Sequence, residues 1–189
     1  ALLDSWAGRG PLFLVAHPGH NSLPAALEAL AAVGSSGGRG RILYFRSPDD
    51  AAAHAAVEAT VAGLEAAAAL RRARLGVVGA PSDWLVASLA DPGEVRRVWG
   101  PEVVTLGMDR LLPACRAAAV EGAAGGGVEA ALRALVRSER LDAVTVRCFD
   151  LIGALQATAC PALSALNDEG VVGGCEGDVP SALAMLWVR

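Results

Sequence analysis

The chain has 189 residues, 53% of them hydrophobic, with 20 acidic side chains against 16 basic ones and a net charge of −4. That length and apolar content suffice for one large α/β domain or two small ones, and they exclude a disordered segment. The acidic balance excludes the basic surface that a nucleic-acid partner would need.

In chain order, the first apolar run is Leu12–Ala16, read as a buried strand. Ala16-His17-Pro18-Gly19-His20-Asn21-Ser22 follows it, and Asn21 or Ser22 is placed to cap a helix with Pro24 in its first turn and Leu23, Leu27 and Leu30 on one face. The Gly34–Gly40 loop leads to a second strand, Ile42–Phe45, and then to an Ala-rich helix, Ala51–Arg72. The Arg cluster at Arg71–Arg74 marks a domain boundary, giving an N-terminal α/β domain over 1–73 and a central one over 74–189. Strands are predicted at Leu75–Gly79, Val103–Leu106, Ala143–Val146 and Val171–Gly173, with helices at Asp109–Val120 and Val128–Ser138. Pro113 is expected in the first turn of the helix that contains it.

The strand runs are continuously apolar rather than alternating, as parallel strands covered on both faces must be. Strands alternating with helices imply right-handed βαβ units, hence an α/β fold of parallel, Rossmann- or flavodoxin-like layers. Periodicity alone leaves open whether the six strands form one sheet or two. The glycine loops Gly34–Gly40 and Gly122–Gly127 lack both the strand–loop–helix order of a dinucleotide fingerprint and the Lys-Ser/Thr of a P-loop, so they read as connections.

All 16 basic residues are arginine, and the side-chain amides are limited to Asn21, Asn167 and Gln156, which fits either a thermophilic source or a biased genome composition. The four cysteines form no C-x-x-C pair, so they read as reduced thiols of a cytoplasmic protein. No signal-peptide pattern opens the chain, and no apolar run approaches the ~20 residues of a membrane span. Ser181–Arg189 reads as a helix with no stop signal, so further chain is expected beyond Arg189.

Candidate chemistry clusters where strands end, because open parallel sheets bind ligands at their carboxyl edge. His17, His20 and Asn21 are placed there to hold a polyol, the alternative being a turn with a helix cap; two histidines alone are too few for a metal. After the third strand, Ser82 and Asp83 are expected to cap the next helix, and Trp84 reads equally as a sugar-stacking platform or as a cover for the core. Arg147 can steady an anionic or hydroxylated substrate, with Asp150 read as a helix cap. Gly170 is expected to end a helix. Glu176 follows the last strand with Gly177 beside it and Gly174 two residues before, leaving room for metal or substrate to approach, and Asp178 reads as the cap of the final helix.

The stretch from Cys160-Pro161 through Leu166-Asn167-Asp168-Glu169-Gly170 and Cys175-Glu176-Gly177-Asp178 to Ser181–Leu186 resembles the central domain of L-fucose and L-arabinose isomerase-like proteins. Leu75–Trp84, Trp99-Gly100 and His20–Pro24 are similar to compact microbial members of that family. The resemblance implies an aldose–ketose isomerase that uses Mn²⁺ or another divalent cation such as Mg²⁺, acts on a small sugar and assembles as a homo-oligomer. It assigns Glu176 as first metal ligand, which the chemistry of ketol isomerisation makes a candidate catalytic base as well; His17, His20, Asn21, Trp84 and Arg147 are the candidates for the substrate from their residue types and their positions after strands. The family's C-terminal β-rich domain, its second carboxylate ligand and its histidine ligand would fall beyond Arg189, in a segment expected to dock on this one. The chain alone is therefore expected to be inactive. Two other readings stand beside this one: a sugar-binding or assembly module without catalysis, and a two-thiol racemase using Cys148 and Cys175.

Overall fold

The computed structural model describes residues 10–122 and 126–189, and everything below concerns those residues. The Gly122–Gly127 loop lies partly outside them. The order of elements is β1 (Leu12–Ala16), α1 (Ser22–Ser35), β2 (Gly40–Tyr44), α2 (Ala51–Arg72), β3 (Arg74–Val78), α3 (Pro92–Val98), β4 (Glu102–Leu106), α4 (Met108–Val120), α5 (Gly126–Glu139), β5 (Ala143–Val146), α6 (Cys148–Leu155), α7 (Cys160–Asp168), β6 (Val172–Cys175) and α8 (Val179–Val188). The chain divides into two compact units, Ala1–Glu65 and Ala66–Arg189, with the division inside α2.

In the first unit, β1 and β2 pair in parallel from Leu12 against Gly40 to Ala16 against Tyr44. Gly40 opens β2 because nothing larger fits: a Cβ there would lie 2.8 Å from the Leu12 carbonyl and from Leu30. Asn21 stands at the head of α1 but makes no side-chain cap; instead the Ser22 hydroxyl accepts from the His17 N–H at 3.1 Å.

In the second unit the four strands run parallel in the order β4-β3-β5-β6, so the predicted α/β class and parallel pairing hold. The chain leaves β3 in one direction to form β4 and then returns to the other side to form β5. Crossovers of one hand in opposite directions place their helices on opposite faces. Accordingly, Leu75, Val77, Ala143 and Val172 pack with Val95 of α3 and with Ala182 and Leu183 of α8 on one face. Val78, Val144 and Val146 pack with Leu111 and Cys115 of α4, Leu132 and Leu135 of α5, Leu151 of α6 and Leu163 of α7 on the other. The order matches the flavodoxin-like pattern, whose crevice opens where the chain reverses, here between β3 and β5.

One helix corrects its expectation. α4 starts at Met108, so Pro113 lies in its second turn and not its first, at the loss of the hydrogen bond its nitrogen would have made to the Asp109 carbonyl. No helix among the described residues is long and apolar enough to cross a membrane.

Candidate functional site

Three loops meet at the carboxyl ends of β3, β5 and β6. The loop after β3 turns at Gly79, whose φ of +88° an L side chain rarely adopts, and delivers Ser82, Asp83 and Trp84. The turn after β5 delivers Arg147 and the first turn of α6 delivers Phe149, while β6 ends at Cys175 with Glu176 next.

Contrary to expectation, Ser82 and Asp83 cap no helix. The next helix begins eight or nine residues later at Asp91-Pro92, where the Asp91 carboxylate accepts from the Glu94 N–H at 2.8 Å and Pro92 occupies the first turn. Ser82 is instead 1% exposed and reaches across to β6. Its hydroxyl donates to Glu176 Oε2 at 2.5 Å, and its N–H donates to the Glu176 carbonyl at 2.8 Å. Glu176 itself has φ +65°, the left-handed region that non-glycine residues seldom occupy. Gly177 is pressed against the β3 loop so closely that a Cβ would stand 2.7 Å from Pro81 Cα.

Arg147 is a hub. Its Nη2 donates to Asp83 Oδ2 at 2.8 Å, its Nη1 to Asp83 Oδ1 and the Pro81 carbonyl at 3.2 Å, and its Nε to Asp150 Oδ1 at 3.1 Å. Asp150 thus lies in the first turn of α6 paired with Arg147, and it does not cap that helix as expected. Four of the hub's bonds tie β5 to the β3 loop and to α6, leaving Arg147 little donor capacity for a ligand. Trp84, 56% exposed, meets the edge of Phe149 at 4.9 Å between ring centres, and the pair forms an aromatic wall beside the hub. Thr145 is fully buried and donates to the Cys175 carbonyl at 2.9 Å, fixing the backbone just ahead of Glu176. Asp178 caps α8 as read, accepting from the Ser181 N–H at 2.9 Å and from its hydroxyl at 2.7 Å.

Trp84, Arg147 and Glu176 therefore share one edge of the second unit's sheet. His17, His20 and Asn21 lie in the first unit, at the carboxyl end of β1. There the Gly19 N–H donates to His17 Nδ1 at 3.1 Å, which leaves Nε2 as the proton-bearing nitrogen. An open depression beside it is lined by Val15, His17, Phe45, Arg46 and Pro48.

Among the described residues, no three His, Cys, Asp or Glu side chains gather closely enough to hold a metal ion. Glu176 is one carboxylate, whereas a Mn²⁺ or Mg²⁺ site takes several oxygen ligands. The described residues alone do not fit a complete site of that kind. Burial pushes the Cys148 thiol up to about 12, with its S–H directed at the Val146 carbonyl at 3.4 Å.

Sequence reading missed Ser82, Asp83 and Phe149 as members of this edge. Position after β3 was the available signal for Ser82; nothing local announces a partner 94 residues away.

No family model matches the chain. It is 27% identical over 164 residues to a sulfoquinovose isomerase of Alkalicoccus urumqiensis, covering 75% of this chain and 37% of that protein. It is 36% identical over 55 residues to sulfoquinovose isomerases of Priestia aryabhattai and Priestia megaterium, covering 29% of this chain and 12% of each. The chain thus spans little more than a third of the length of the curated relative it matches most extensively among these. The likeness is to sugar isomerases, over three quarters of the chain at low identity.

Proposed function

We propose that this chain forms the α/β portion of a metal-dependent sugar isomerase that interconverts an aldose and a ketose. The observation that carries the reading is the likeness to a sulfoquinovose isomerase across 75% of the chain. The carboxyl edge of β3, β5 and β6 supports it, because it presents a carboxylate, an aromatic wall and a fixed backbone in one place.

The reaction moves a proton from C2 of the aldose to C1 through an enediol, while a hydroxyl proton passes between the two oxygens. A positioned carboxylate takes the carbon-bound proton and returns it to the neighbouring carbon. Glu176 fills that role here, and its fixed side chain limits where the proton is delivered. Trp84 and Phe149 present an apolar face to the C–H face of a sugar ring. Arg147 ties the β3 and β5 loops together through Pro81 and Asp83. A divalent ion would polarise adjacent sugar oxygens, and the group that this chain would offer it is the Glu176 carboxylate. Taken by itself, the first unit offers the His17 Nε2–H and the Asn21 amide at the carboxyl end of β1 as donors to sugar hydroxyls. A homo-oligomer in the cytoplasm is part of this reading; the four free thiols support the compartment.

The test is ketose formation by the native protein that carries this chain. Sulfoquinovose, the sugar in the relatives' names, is tried first and a panel of neutral aldoses next, with deuterium uptake from D₂O at C1 and C2 read by NMR. Glu176→Gln is expected to lower turnover by about 100-fold or more, the scale of a lost general base. Sugar binding without turnover by the native protein, or a Glu176→Gln protein as fast as the native one, would overturn the proposal.

A further inference from the structure

We propose that Ser82 is the positioning residue for the Glu176 carboxylate, a role that rests on the reading of Glu176 as the proton-handling group. Ser82 grips Glu176 at two points: Oγ–H on the carboxylate at 2.5 Å, and backbone N–H on the carbonyl at 2.8 Å. With 1% of its surface exposed, Ser82 is held by packing, so its hydroxyl has a fixed place from which to donate. A hydroxyl that donates to a carboxylate oxygen makes a charge-assisted bond. It occupies Oε2 and leaves Oε1 outside that bond.

Glu176 gains from this. Its φ of +65° fixes a backbone that a glycine would adopt at no steric cost, and such outliers persist where the surroundings over-determine them. Here the surroundings are the two Ser82 bonds and the contact of Gly177 with Pro81 and Ala80, where a Cβ would lie 2.7 and 2.8 Å from backbone atoms. A free glutamate has three side-chain torsions to spread over, and loss of its anchor spreads the carboxylate across rotamers that do not reach the substrate carbon.

The two bonds can be separated by mutation. Ser82→Ala removes the hydroxyl and keeps the N–H, so the loops remain joined while the carboxylate loses its anchor. In the native protein this variant is expected to lower kcat about 10- to 100-fold with KM and thermal midpoint little changed. Ser82→Cys, nearly isosteric but a weaker donor, is expected to fall between Ser and Ala. Adding Ser82→Ala to Glu176→Gln is expected to cost nothing further, because the two act as a unit. A crystal structure of the Ser82→Ala protein is expected to show the Glu176 side chain displaced over an unchanged backbone. Full kcat in Ser82→Ala alongside a disabled Glu176→Gln protein overturns the positioning role alone. Full kcat in both overturns the role of Glu176 itself. An undisplaced Glu176 side chain in the Ser82→Ala crystal overturns the positioning role whatever the kinetics show.

Discussion

At the start of α2, the side chain of Asp50 is 5% exposed while its partner Arg46 is 74% exposed. The Asp50 carboxylate accepts Arg46 Nε at 2.8 Å and the Arg46 N–H at 3.1 Å, and the Ala53 N–H at 3.3 Å, so it caps the helix and pairs with a cation at once. The side-chain bond from Arg46, and then the backbone one, hold the carboxyl well below the usual carboxylate range. A depressed native value means that the unfolded state binds the proton more readily. The stabilisation is therefore complete above the unfolded value of about 3.9 and drains away as pH falls below it toward the native value. The thermal midpoint is expected to be flat near neutrality and to drop below about pH 4, with Asp50→Asn lower at neutral pH and less steep in acid. Equal slopes for the two proteins in a pH series of melting curves would show that other carboxylates carry the acid sensitivity.

At the scale of elements, the pattern of apolar runs was enough to place the six strands to within one or two residues: β3 and β5 are covered on both faces and only Thr105 and Thr145 break the apolar runs, although Val15 of β1 stays 65% exposed. Caps written in adjacent residues were legible too: Asp178 ahead of Val-Pro behaves as read. What escaped was pairing over distance. Ser82 and Asp83 look like caps by residue type, and only the fold brings them to Glu176 and Arg147. Asn167 is a similar case. By residue type it belongs to a helix end, yet its amide also accepts from the Gly173 N–H and donates to the Gly173 carbonyl, both at 3.0 Å, standing in for a neighbouring strand at the edge of β6. Pro113 shows the opposite failing, since a local rule placed it in a first turn that tertiary packing extended past: Leu111 and Cys115 on either side of it are buried, and Pro113 itself is exposed. Its position costs an intrahelical bond, about 3 kcal/mol in a helix interior, offset by about 1 kcal/mol of chain entropy that proline removes from the unfolded state. Pro113→Ala is accordingly expected to stabilise the protein by about 2 kcal/mol, read as a shift of the denaturant midpoint at constant slope. A variant that is less stable would show that α4 is built around the proline.

For the whole molecule, the thiols give a way to set carboxylate chemistry against two-thiol chemistry. Folding of the second unit sorts four cysteines from different elements into two environments: Cys115 and Cys148 are buried, and Cys160 and Cys175 are exposed. Both buried thiols are raised by desolvation, Cys148 to about 12, so at neutral pH they stay protonated as well as covered. A racemase needs two thiols of comparable readiness facing one carbon from opposite sides, and Cys148 directs its proton at a backbone carbonyl inside the sheet edge. Iodoacetamide at pH 7.5 is expected to label Cys160 and Cys175 in the native protein and all four after unfolding, counted by mass spectrometry. Alkylated Cys175 lies next to Glu176, so labelling alone slows turnover by crowding under either chemistry. Cys175→Ala separates them: carboxylate chemistry keeps turnover within a few-fold of native, because the backbone carbonyl held by Thr145 is unchanged, whereas thiol chemistry loses it entirely. Native-state labelling of Cys148 together with an inactive Cys175→Ala protein would move the proposed proton-transfer role from Glu176 to the cysteine pair.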